Sequence, residues 1–334
     1  MANPEIKSAL IVGAGSIGRR HLANLKKLGL NKLAACDPHP ERLEYVAVEF
    51  HAECFPTIEA GLEKFRADAV LVCSPPVLHV VQAIQALRAG AHVFIEKPLS
   101  DRMDGVEALR EETAKRGATV QVGYNLRFHP AIQKLKELVD ECAVGKILWA
   151  HVEAGSYLPD WRPWQDYRKS YTARRELGGG ILLDGSHEID YVTWLFGAPQ
   201  EVACMAGQVS HLEVDVEDCA TVLLRFSDGT RADVHLDFIQ RSYSRYCSLI
   251  GPEGKVQWDL LGNSVQIVRP GKEAEITKFD FEINAGYVAE LSHFIECART
   301  GARPRFTLED AILTLRIALA ARASAEERKW VFLE

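Results

Sequence analysis

The chain has 334 residues, of which 47% are hydrophobic and 25% are charged, and its formal net charge is −7 at pH 7. This length exceeds what one hydrophobic core normally supports and predicts two domains, while the composition is typical of an ordinary globular protein. A negative charge with both signs scattered along the chain argues against nucleic acid as a partner, because such proteins usually present a basic face.

The N-terminal stretch MANPEIKSALIVGAG contains a short apolar run that ends in glycines. We therefore expect neither a signal peptide nor a transmembrane span there, and no membrane partner. The eight cysteines form no C-x-x-C pair and have no regular spacing. This pattern indicates reduced thiols in a cytoplasmic protein.

The first third of the chain alternates strand-like and helix-like segments. The predicted strands are SALIVGAG, KLAACD, DAVLVCSPP, AHVFIEKP and ATVQVGYN. The predicted helices between them are SIGRRHLANLKKLG, PERLEYVAVEF, VLHVVQAIQALRAG and DRMDGVEALREETAKRG. Strands separated by helices of this length predict a doubly wound parallel sheet with helices on both faces, which we assign to residues 1–124.

The pattern changes after a predicted helix in HPAIQKLKELVD. Strands then recur without helices between them, joined by turn signals such as Asp228-Gly229. The segments AGYVAELSHFIECARTG and LEDAILTLRIALAARASAEER predict two closing helices. We therefore expect an α+β domain at residues 125–334 with a large, mostly antiparallel open sheet, and terminal helices that are free to pack back on the first domain.

A glycine-rich loop follows the first predicted strand and opens the first predicted helix. Its G-x-G-x-x-G pattern places Gly13, Gly15, Ser16, Ile17 and Gly18 where a dinucleotide pyrophosphate would bind. A plain glycine turn is the alternative interpretation. Asp37 ends the second predicted strand, about 20 residues further on, where a carboxylate accepts hydrogen bonds from a ribose 2′-hydroxyl. Asp37 favours NAD over NADP, although Arg19 and Arg20 lie nearby on what we expect to be the helix surface.

The segment FIEKPLS places Glu96, Lys97 and Pro98 at the C-terminal end of a predicted parallel strand. Ligands of open parallel sheets bind beyond those strand ends. A lysine there can donate a hydrogen bond to a substrate oxygen, and partial burial would lower its pKa towards acid–base use. A solvated turn lysine is the alternative interpretation.

A polar group interrupts the apolar segment ELGGGILLDGSHEIDYVTWLFG, which we predict to be one helix. Helical spacing places Asp184, His187, Glu188 and Tyr191 on one face. His187 is suited to accept a hydroxyl proton, and Asp184 to orient its ring or bind a neighbouring hydroxyl. The alternative is a helix-start aspartate and a hydrogen-bonded core histidine. We expect Glu188 and Asp190 to serve structure on the helix surface or between helices, and we expect no metal site.

The loop before this helix, residues 157–180, is rich in aromatic and basic residues. Aromatic rings stack on sugar C–H faces, and cations pair with anionic groups. We interpret the loop as a substrate lid that uses Trp164, Tyr167 and Arg168, with an exposed loop that packs on a neighbouring subunit as the alternative.

Four motifs in this order, GAGSIG, CSPPVLH, EKP and GGGILLDGSHEID, resemble those of the Gfo/Idh/MocA oxidoreductases. This family contains relatives of glucose–fructose oxidoreductase and inositol dehydrogenase, and the resemblance covers essentially the whole chain. It implies a Rossmann domain, a second α/β domain whose sheet assembles dimers or tetramers, and NAD(P)-linked hydride transfer at a sugar or cyclitol carbinol.

The resemblance also implies roles for individual residues. Lys97 matches the family's catalytic lysine, and the Lys97–Pro98 peptide bond is expected to be cis. The expected cofactor contacts outside the glycine loop are Asp37, Ser74, Pro75, His79, Glu96, Lys97 and Asn125. Tyr124 and Arg127 are expected at the substrate edge, where Arg127 either binds a substrate oxygen or braces the domain junction. His129 is expected to start a helix. Many family members have D-x-x-x-H where this chain has D-x-x-H, which leaves open whether Asp184 contacts substrate.

Together these features predict an NAD-dependent oxidoreductase acting on a secondary alcohol of a sugar, cyclitol or nucleotide sugar. His187 would take the hydroxyl proton, and Lys97 would stabilise the developing alkoxide. Two alternatives stay open: an NAD-assisted glycosidase that oxidises its sugar transiently, and a non-catalytic NAD-binding regulator. We expect a homodimer or homotetramer formed through the C-terminal sheet.

Overall fold

The computed structural model describes residues 5–333. Residues 1–4 and 334 lie outside that range. The first residues of the predicted first domain, which begin the N-terminal stretch, and the last residue of the predicted second domain therefore lie outside the described residues. The chain divides into two compact units, one of Met1–Asn125 with Ile283–Ile312 and one of Leu126–Glu282 with Leu313–Glu334. Among the described residues, no helix combines the length and apolarity that crossing a membrane requires.

The first unit contains a six-stranded sheet in the order β3-β2-β1-β4-β5-β6, and every strand pair in it is parallel. The strands are β1 (Ser8–Val12), β2 (Lys32–Cys36), β3 (Glu53–Phe55), β4 (Ala69–Val72), β5 (His92–Glu96) and β6 (Val120–Gly123). This is the strand order of the doubly wound dinucleotide-binding fold, and the predicted parallel sheet is confirmed. The order reverses between β1 and β4, and ligands of such sheets bind beyond the strand ends at that point.

The helices of this unit follow the strands in alternation. They are α1 (Ser16–Lys27), α2 (Pro40–Phe50), α3 (Ile58–Phe65), α4 (His79–Arg88), α5 (Val106–Arg116), α9 (Ile283–Thr300) and the beginning of α10 (Leu308–Glu327). The strand β1 is buried along its whole length, as expected for a strand covered on both faces. The sequence prediction missed β3 and α3, because β3 has three residues and α3 has eight.

The second unit contains a nine-stranded sheet in the order β14-β13-β12-β11-β7-β10-β9-β8-β15. Its strands are β7 (Trp149–Gly155), β8 (Pro199–Gly207), β9 (Cys219–Phe226), β10 (Arg231–Asp237), β11 (Ser244–Gly251), β12 (Gly254–Asp259), β13 (Ser264–Val268), β14 (Glu275–Lys278) and β15 (Val331–Phe332). The pair β7–β10 is parallel and the other pairs are antiparallel, which confirms the predicted large, mostly antiparallel sheet.

The two faces of this sheet differ in burial. In β7, Ala150 and Val152 are buried, whereas the alternate residues Trp149, His151 and Glu153 are partly or fully exposed. The helices of this unit are α6 (Pro130–Asp140), α7 (Ile181–Asp184), α8 (Ser186–Phe196) and the remainder of α10. The helices α6, α7 and α8 pack against the sheet, so the alternation separates a packed face from an exposed one.

The predicted single helix over residues 181–196 is wrong, because the structure divides it at Gly185 into α7 and α8. A Cβ atom at Gly185 would lie 2.8 Å from the Ile181 carbonyl oxygen and 2.9 Å from a methyl carbon of Leu236. A glycine is therefore required for the close packing of this bend on β10.

His129 precedes α6 and caps it. Its Nδ1 atom accepts a hydrogen bond from the Ala131 N–H at 3.1 Å, and its ring packs against Trp258 and Phe281. Burial, assisted by the positive charge of Arg245, lowers the pKa of His129 to about 4. The predicted helix-start role of His129 is confirmed, and the cap requires a neutral ring.

We expect His129 to make the protein less stable as the pH falls from about 6.5 to about 4. In this window the unfolded chain binds a proton at the histidine and the folded chain does not. The variant His129→Asn keeps a capping acceptor and removes the titration, so its unfolding midpoint in urea should depend less on pH across this window. The exposed control His211→Asn should keep the wild-type slope, and an unchanged slope in His129→Asn would contradict the assignment.

Candidate functional site

The glycine loop of the first unit lies between β1 and α1 at the reversal of strand order. Gly13 has φ +98°, and a Cβ atom there would lie 2.7 Å from the Cys73 carbonyl oxygen. A Cβ atom at Gly18 would lie 2.0 Å from the Gly13 carbonyl oxygen. Both positions therefore need glycine, one for backbone conformation and contact, the other for the packing of α1 on the loop.

The start of α1 offers a cradle for an anion. Gly15 precedes the helix, and within residues 5–333 no side chain caps it and no atom lies within 4 Å of a Cβ atom built at Gly15. The next residue, Ser16, is exposed and Ile17 is half-buried. Open space beside free helix N–H groups and a positive helix end fits a pyrophosphate. The loop residues therefore fit the dinucleotide that the motif predicts.

Asp37 lies at the end of β2 and is buried. Its carboxylate accepts hydrogen bonds from the N–H groups of Ala14 and His39, at 2.8 and 2.9 Å. It also contacts the His39 ring at 2.8 Å and the Arg42 guanidinium at 3.3 Å. Burial opposes ionisation, but these hydrogen bonds and the charge of Arg42 outweigh it and lower the pKa of Asp37. Asp37 is thus an anion that also holds the glycine loop.

The neighbouring arginines, Arg19 and Arg20, each contact an aromatic ring of the protein. The Arg19 Nε atom donates to the Ala14 carbonyl at 3.0 Å, and its guanidinium lies 4.1 Å from the centre of the Tyr45 ring. The guanidinium of Arg20 lies 4.6 Å from the centre of the Tyr287 ring.

The residues after β4 and β5 are tied together by His79. Its ring nitrogens lie 2.8 Å from the carbonyl oxygens of Ser74 and Pro98. The Ser74 hydroxyl donates to Gln82, and Pro75 precedes a short 3₁₀ turn. The buried ring therefore lies between two backbone segments and contacts both, and burial lowers the pKa of His79. The Lys97–Pro98 peptide bond is cis, as predicted.

Glu96 ends β5 and belongs to a buried polar cluster. Its Oε1 atom lies 2.6 Å from the Nε2 atom of His21, and its Oε2 atom accepts the Lys97 N–H at 3.2 Å. Glu290 of α9 completes the cluster: one nitrogen or oxygen atom from each of the three side chains lies within 4.8 Å of the others. Among the described residues this is the one such group of potential metal ligands, but the 2.6 Å His21–Glu96 contact is a hydrogen bond.

Tyr124 and Asn125 end the first segment of this unit. Tyr124 is 1% exposed and packs on Phe306, with 4.9 Å between ring centres. This burial favours a role in the core of the first unit for Tyr124. Asn125 is also buried.

In the second unit, Asp184 is the last residue of α7 and is buried. Its two carboxylate oxygens accept hydrogen bonds from the Tyr171 hydroxyl at 3.0 Å and the Thr172 hydroxyl at 2.8 Å. These partners belong to the aromatic loop. The Asp184 carboxylate therefore joins the loop to the start of the helix pair.

His187 lies in the first turn of α8 and is 9% exposed, in the helix that also carries the buried carboxylates of two ion pairs. Arg245 contacts both oxygens of Glu188 at 2.6 and 3.0 Å. Arg127 contacts both oxygens of Asp190 at 2.9 and 2.8 Å. The expectation that these carboxylates serve structure as hydrogen-bond partners is confirmed, but a helix-surface position for them is wrong, because both are 0% exposed.

The aromatic loop consists of short 3₁₀ turns. Trp164 is 78% exposed, and the Tyr167 hydroxyl accepts the Glu213 N–H at 3.1 Å. The Arg168 guanidinium pairs with Asp166 and Glu213 within the same unit. These acidic partners hold Arg168 in place and partly neutralise it.

Sequence reasoning missed three partners in these clusters: His21, Arg245 and Glu290. Glu290 carried one local signal, since Gly286, Glu290 and Phe294 follow each other at four-residue spacing on the buried side of α9. No local pattern linked Arg245 to Glu188, which lies 57 residues away in the sequence.

Comparison with known proteins agrees with this architecture. Residues 7–124 match the family model of the oxidoreductase family NAD-binding Rossmann fold, and residues 136–333 match that of the C-terminal alpha/beta domain of the same family. The chain is 29% identical to myo-inositol 2-dehydrogenase of Thermotoga maritima, over 97% of this chain and 98% of that protein.

Two other proteins are also similar. The chain is 28% identical to 2,7-anhydro-N-acetylneuraminate hydratase of Escherichia coli, over 75% of this chain and 67% of that protein. In structure it resembles an inositol dehydrogenase homolog from Azotobacter vinelandii complexed with NAD⁺, with a TM-score of 0.89, 18% identity and coverage of 99% and 98% of the two chains.

The glycine cradle, the ionised Asp37 and the Glu96–Lys97–Pro98 turn thus lie in a domain that matches the family's NAD-binding model. Both family models together cover most of the chain. The chain belongs to the Gfo/Idh/MocA family of NAD-binding oxidoreductases.

Proposed function

We propose that the protein oxidises a secondary alcohol of a sugar, cyclitol or nucleotide sugar with NAD. One observation carries this proposal: a dinucleotide cradle, an anionic ribose acceptor and a lysine follow β1, β2 and β5 of one parallel sheet. The C-terminal ends of parallel strands lie on one edge of the sheet, where ligands bind. Lys97 therefore lies on the edge that receives the cofactor.

Bound NAD supplies the hydride acceptor, and the protein supplies position and electrostatics. In this proposal the Lys97 ammonium stabilises negative charge that develops on the substrate oxygen. His187 accepts the hydroxyl proton, because neutral imidazole is a base of suitable strength near neutral pH. The carboxylate of Asp184 holds the aromatic loop, and Arg127 braces α8 through Asp190.

The substrate class rests on the aromatic loop and on the relatives. The exposed Trp164 indole and the Tyr167 ring offer surfaces on which the C–H face of a sugar stacks. Arg168 adds a cation that can pair with an anionic substituent of the substrate. Its ion pairs with Asp166 and Glu213 partly neutralise this charge. The relative from Thermotoga maritima is named for action on myo-inositol, a cyclic polyol. A polyhydroxylated ring is the chemical feature that these observations share.

We also propose that the chain works in the cytoplasm as a homodimer or homotetramer assembled through the exposed face of its nine-stranded sheet. All eight cysteines are free thiols, which suits a reducing compartment. The alternate sheet face carries large apolar side chains, among them Met205, 79% exposed, and Trp149, Leu223 and Ile250, each more than a third exposed. Apolar side chains on adjacent strands of one face are typical of a protein–protein contact.

The first test screens cyclitols, sugars, uronates and nucleotide sugars for reduction of NAD. We expect Lys97→Ala and His187→Ala to lower kcat by about 100-fold or more while NAD still binds, because each removes a group that acts on the substrate hydroxyl. Lys115→Ala and His211→Ala, both at exposed positions, serve as controls.

Full activity in both site variants would contradict the assigned roles. Release of an aglycone from glycosides without net NADH would instead favour transient oxidation, and NAD binding without turnover of any substrate would favour a regulator. The name of the Escherichia coli relative, a hydratase, makes the measurement of net NADH an essential part of this screen.

Asp37 should set the preference for NAD. The variant Asp37→Ser removes the carboxylate that accepts the 2′-hydroxyl, and it releases His39 and Arg42 to meet a 2′-phosphate. We expect NAD affinity to fall by about tenfold or more, which corresponds to about 1.4 kcal/mol, and NADP affinity to rise. Titration of both cofactors by fluorescence measures this. The control is Asp68→Ser, at a carboxylate that accepts hydrogen bonds from Ser8, the first residue of β1. An unchanged ratio of the two affinities in Asp37→Ser would contradict the assignment.

The oligomer proposal predicts that Met205→Glu with Leu223→Glu dissociates the protein towards the monomer mass of 37.2 kDa, because burying two carboxylates in an apolar contact is costly. Light scattering after size exclusion measures the mass. Met103→Glu, an exposed change in the first unit, should leave the assembly unchanged. A wild-type protein that is monomeric at micromolar concentration would contradict the proposal.

A further inference from the structure

The fully buried carboxyl group of Glu290 has no role in the function proposed above. Glu290 lies in the middle of α9 and is 0% exposed. Among the hydrogen bonds of residues 5–333, none reaches either of its carboxyl oxygens. An ionised carboxylate in this condition would cost several kcal/mol, so the group is either neutral or neutralised.

Its helix is fixed beside the strand that leads to Lys97. The Gln121 side chain of β6 donates to the Glu290 backbone carbonyl at 3.2 Å. Phe94 of β5 packs edge-on against Phe294, one turn further along α9. Asn24 of α1 and Asn284 of α9 exchange side-chain hydrogen bonds. These contacts place Glu290 firmly against the end of β5 within the first unit.

The neighbouring carboxylate, Glu96, has hydrogen-bond partners at both of its oxygens. It contacts the His21 ring at one oxygen and the Lys97 N–H at the other. Gly123 makes room for it, since a Cβ atom there would lie 3.3 Å from the Glu96 Oε1 atom. Two carboxylates confined with one imidazole inside 4.8 Å would repel each other strongly if both were ionised, because charges are weakly screened in the interior.

The surroundings decide which carboxyl keeps the proton. Burial, and after it the charge of Glu96, raises the pKa of Glu290 well above its usual range. The other titratable groups that interact with the two carboxyls are His21 of α1, Cys73 after β4, His79 of α4 and Tyr287 of α9, and Tyr287 interacts in turn with Arg20 and Lys97. Of these, His21 contacts Glu96 directly, so Glu96 is the better-stabilised anion.

We propose that Glu290 is held as a neutral carboxylic acid, which leaves Glu96 as the single anion of the cluster and makes Glu290 a positioning residue for Lys97. Glu96 then stays bound to His21 and to the backbone N–H of Lys97. If Glu290 were ionised, repulsion would displace the Glu96 carboxylate and with it the start of the Lys97 turn. This inference rests on the proposed function only for the role of Lys97, not for the proton on Glu290.

The protonation of the Glu290 carboxyl group is tested on the intact protein without substrate. Infrared difference spectroscopy of wild type against Glu290→Gln at neutral pH should show the carbonyl stretch of one protonated carboxylic acid, lost in the variant. The control Glu296→Gln, on the exposed side of the same helix where Glu296 pairs with Arg299, should show the loss of an ionised carboxylate instead. Absence of the protonated band from the wild type would overturn the proposal.

Activity tests the positioning role. Glu290→Gln keeps a neutral group of the same shape and should retain kcat within about threefold with an unchanged pH profile. Glu290→Leu removes the polar group and should lose about 10- to 100-fold in kcat, since small displacements of an acting group cost this much. Both variants should bind NAD and unfold cooperatively.

Two outcomes would overturn the proposal. One is a Gln variant as impaired as the Leu variant, or with a displaced pH profile, because replacing an ionised Glu290 would alter the charge beside Lys97. The other is a stoichiometric divalent metal in purified wild type that Glu290→Gln loses, which would mean that an ion and not a proton neutralises the cluster. If no substrate is ever oxidised, the proposed function fails, and the infrared band still decides the state of Glu290.

Discussion

The neutralisation of buried carboxylates is the constraint on which this structure depends. An unpaired charge in a protein interior costs several kcal/mol. Each buried carboxylate therefore holds its hydrogen-bond or ion-pair partner in place. Asp37 uses backbone N–H groups and Arg42, Glu96 uses His21, and Glu188 uses Arg245. Each carboxylate lies on or next to an element that carries a proposed cofactor or substrate contact. Electrostatics thereby fixes these elements in position within each unit.

The helix α8 shows the consequence most clearly. Two bidentate ion pairs hold it, one to Arg127 before α6 and one to Arg245 at the start of β11. Removing one partner of such a pair costs about 3–5 kcal/mol, because the other charge stays buried. His187 lies in the same helical turn as Glu188, so the ion pairs also hold the backbone that carries the His187 ring. A residue that accepts a proton from a substrate benefits from a backbone that does not move during the reaction.

Features that depend on neighbouring residues could be predicted from the sequence. Contacts between residues that lie far apart in the sequence could not. The alternation of strands and helices, the G-x-G-x-x-G loop with Asp37, and the EKP turn each rest on neighbouring residues and periodicity. The His21–Glu96 bond spans 75 residues and the Arg245–Glu188 bond spans 57, and no spacing rule connects them. The short β3 and α3 fell below the length at which periodicity is informative. The break at Gly185 was missed because apolar helical spacing continues across it.

That break also falls inside the D-x-x-H motif, between Asp184 and His187. A continuous helix would place Asp184 and His187 one turn apart on a common face, but α7 ends at Asp184 and a new helix starts after Gly185. The oxygens of the aspartate reach the hydroxyls of Tyr171 and Thr172 in the aromatic loop. The segment around this bend therefore carries both the contact with the loop, through the Asp184 carboxylate, and the histidine. Asp184 thus connects the proposed substrate loop to the segment that begins the helix of the proposed base.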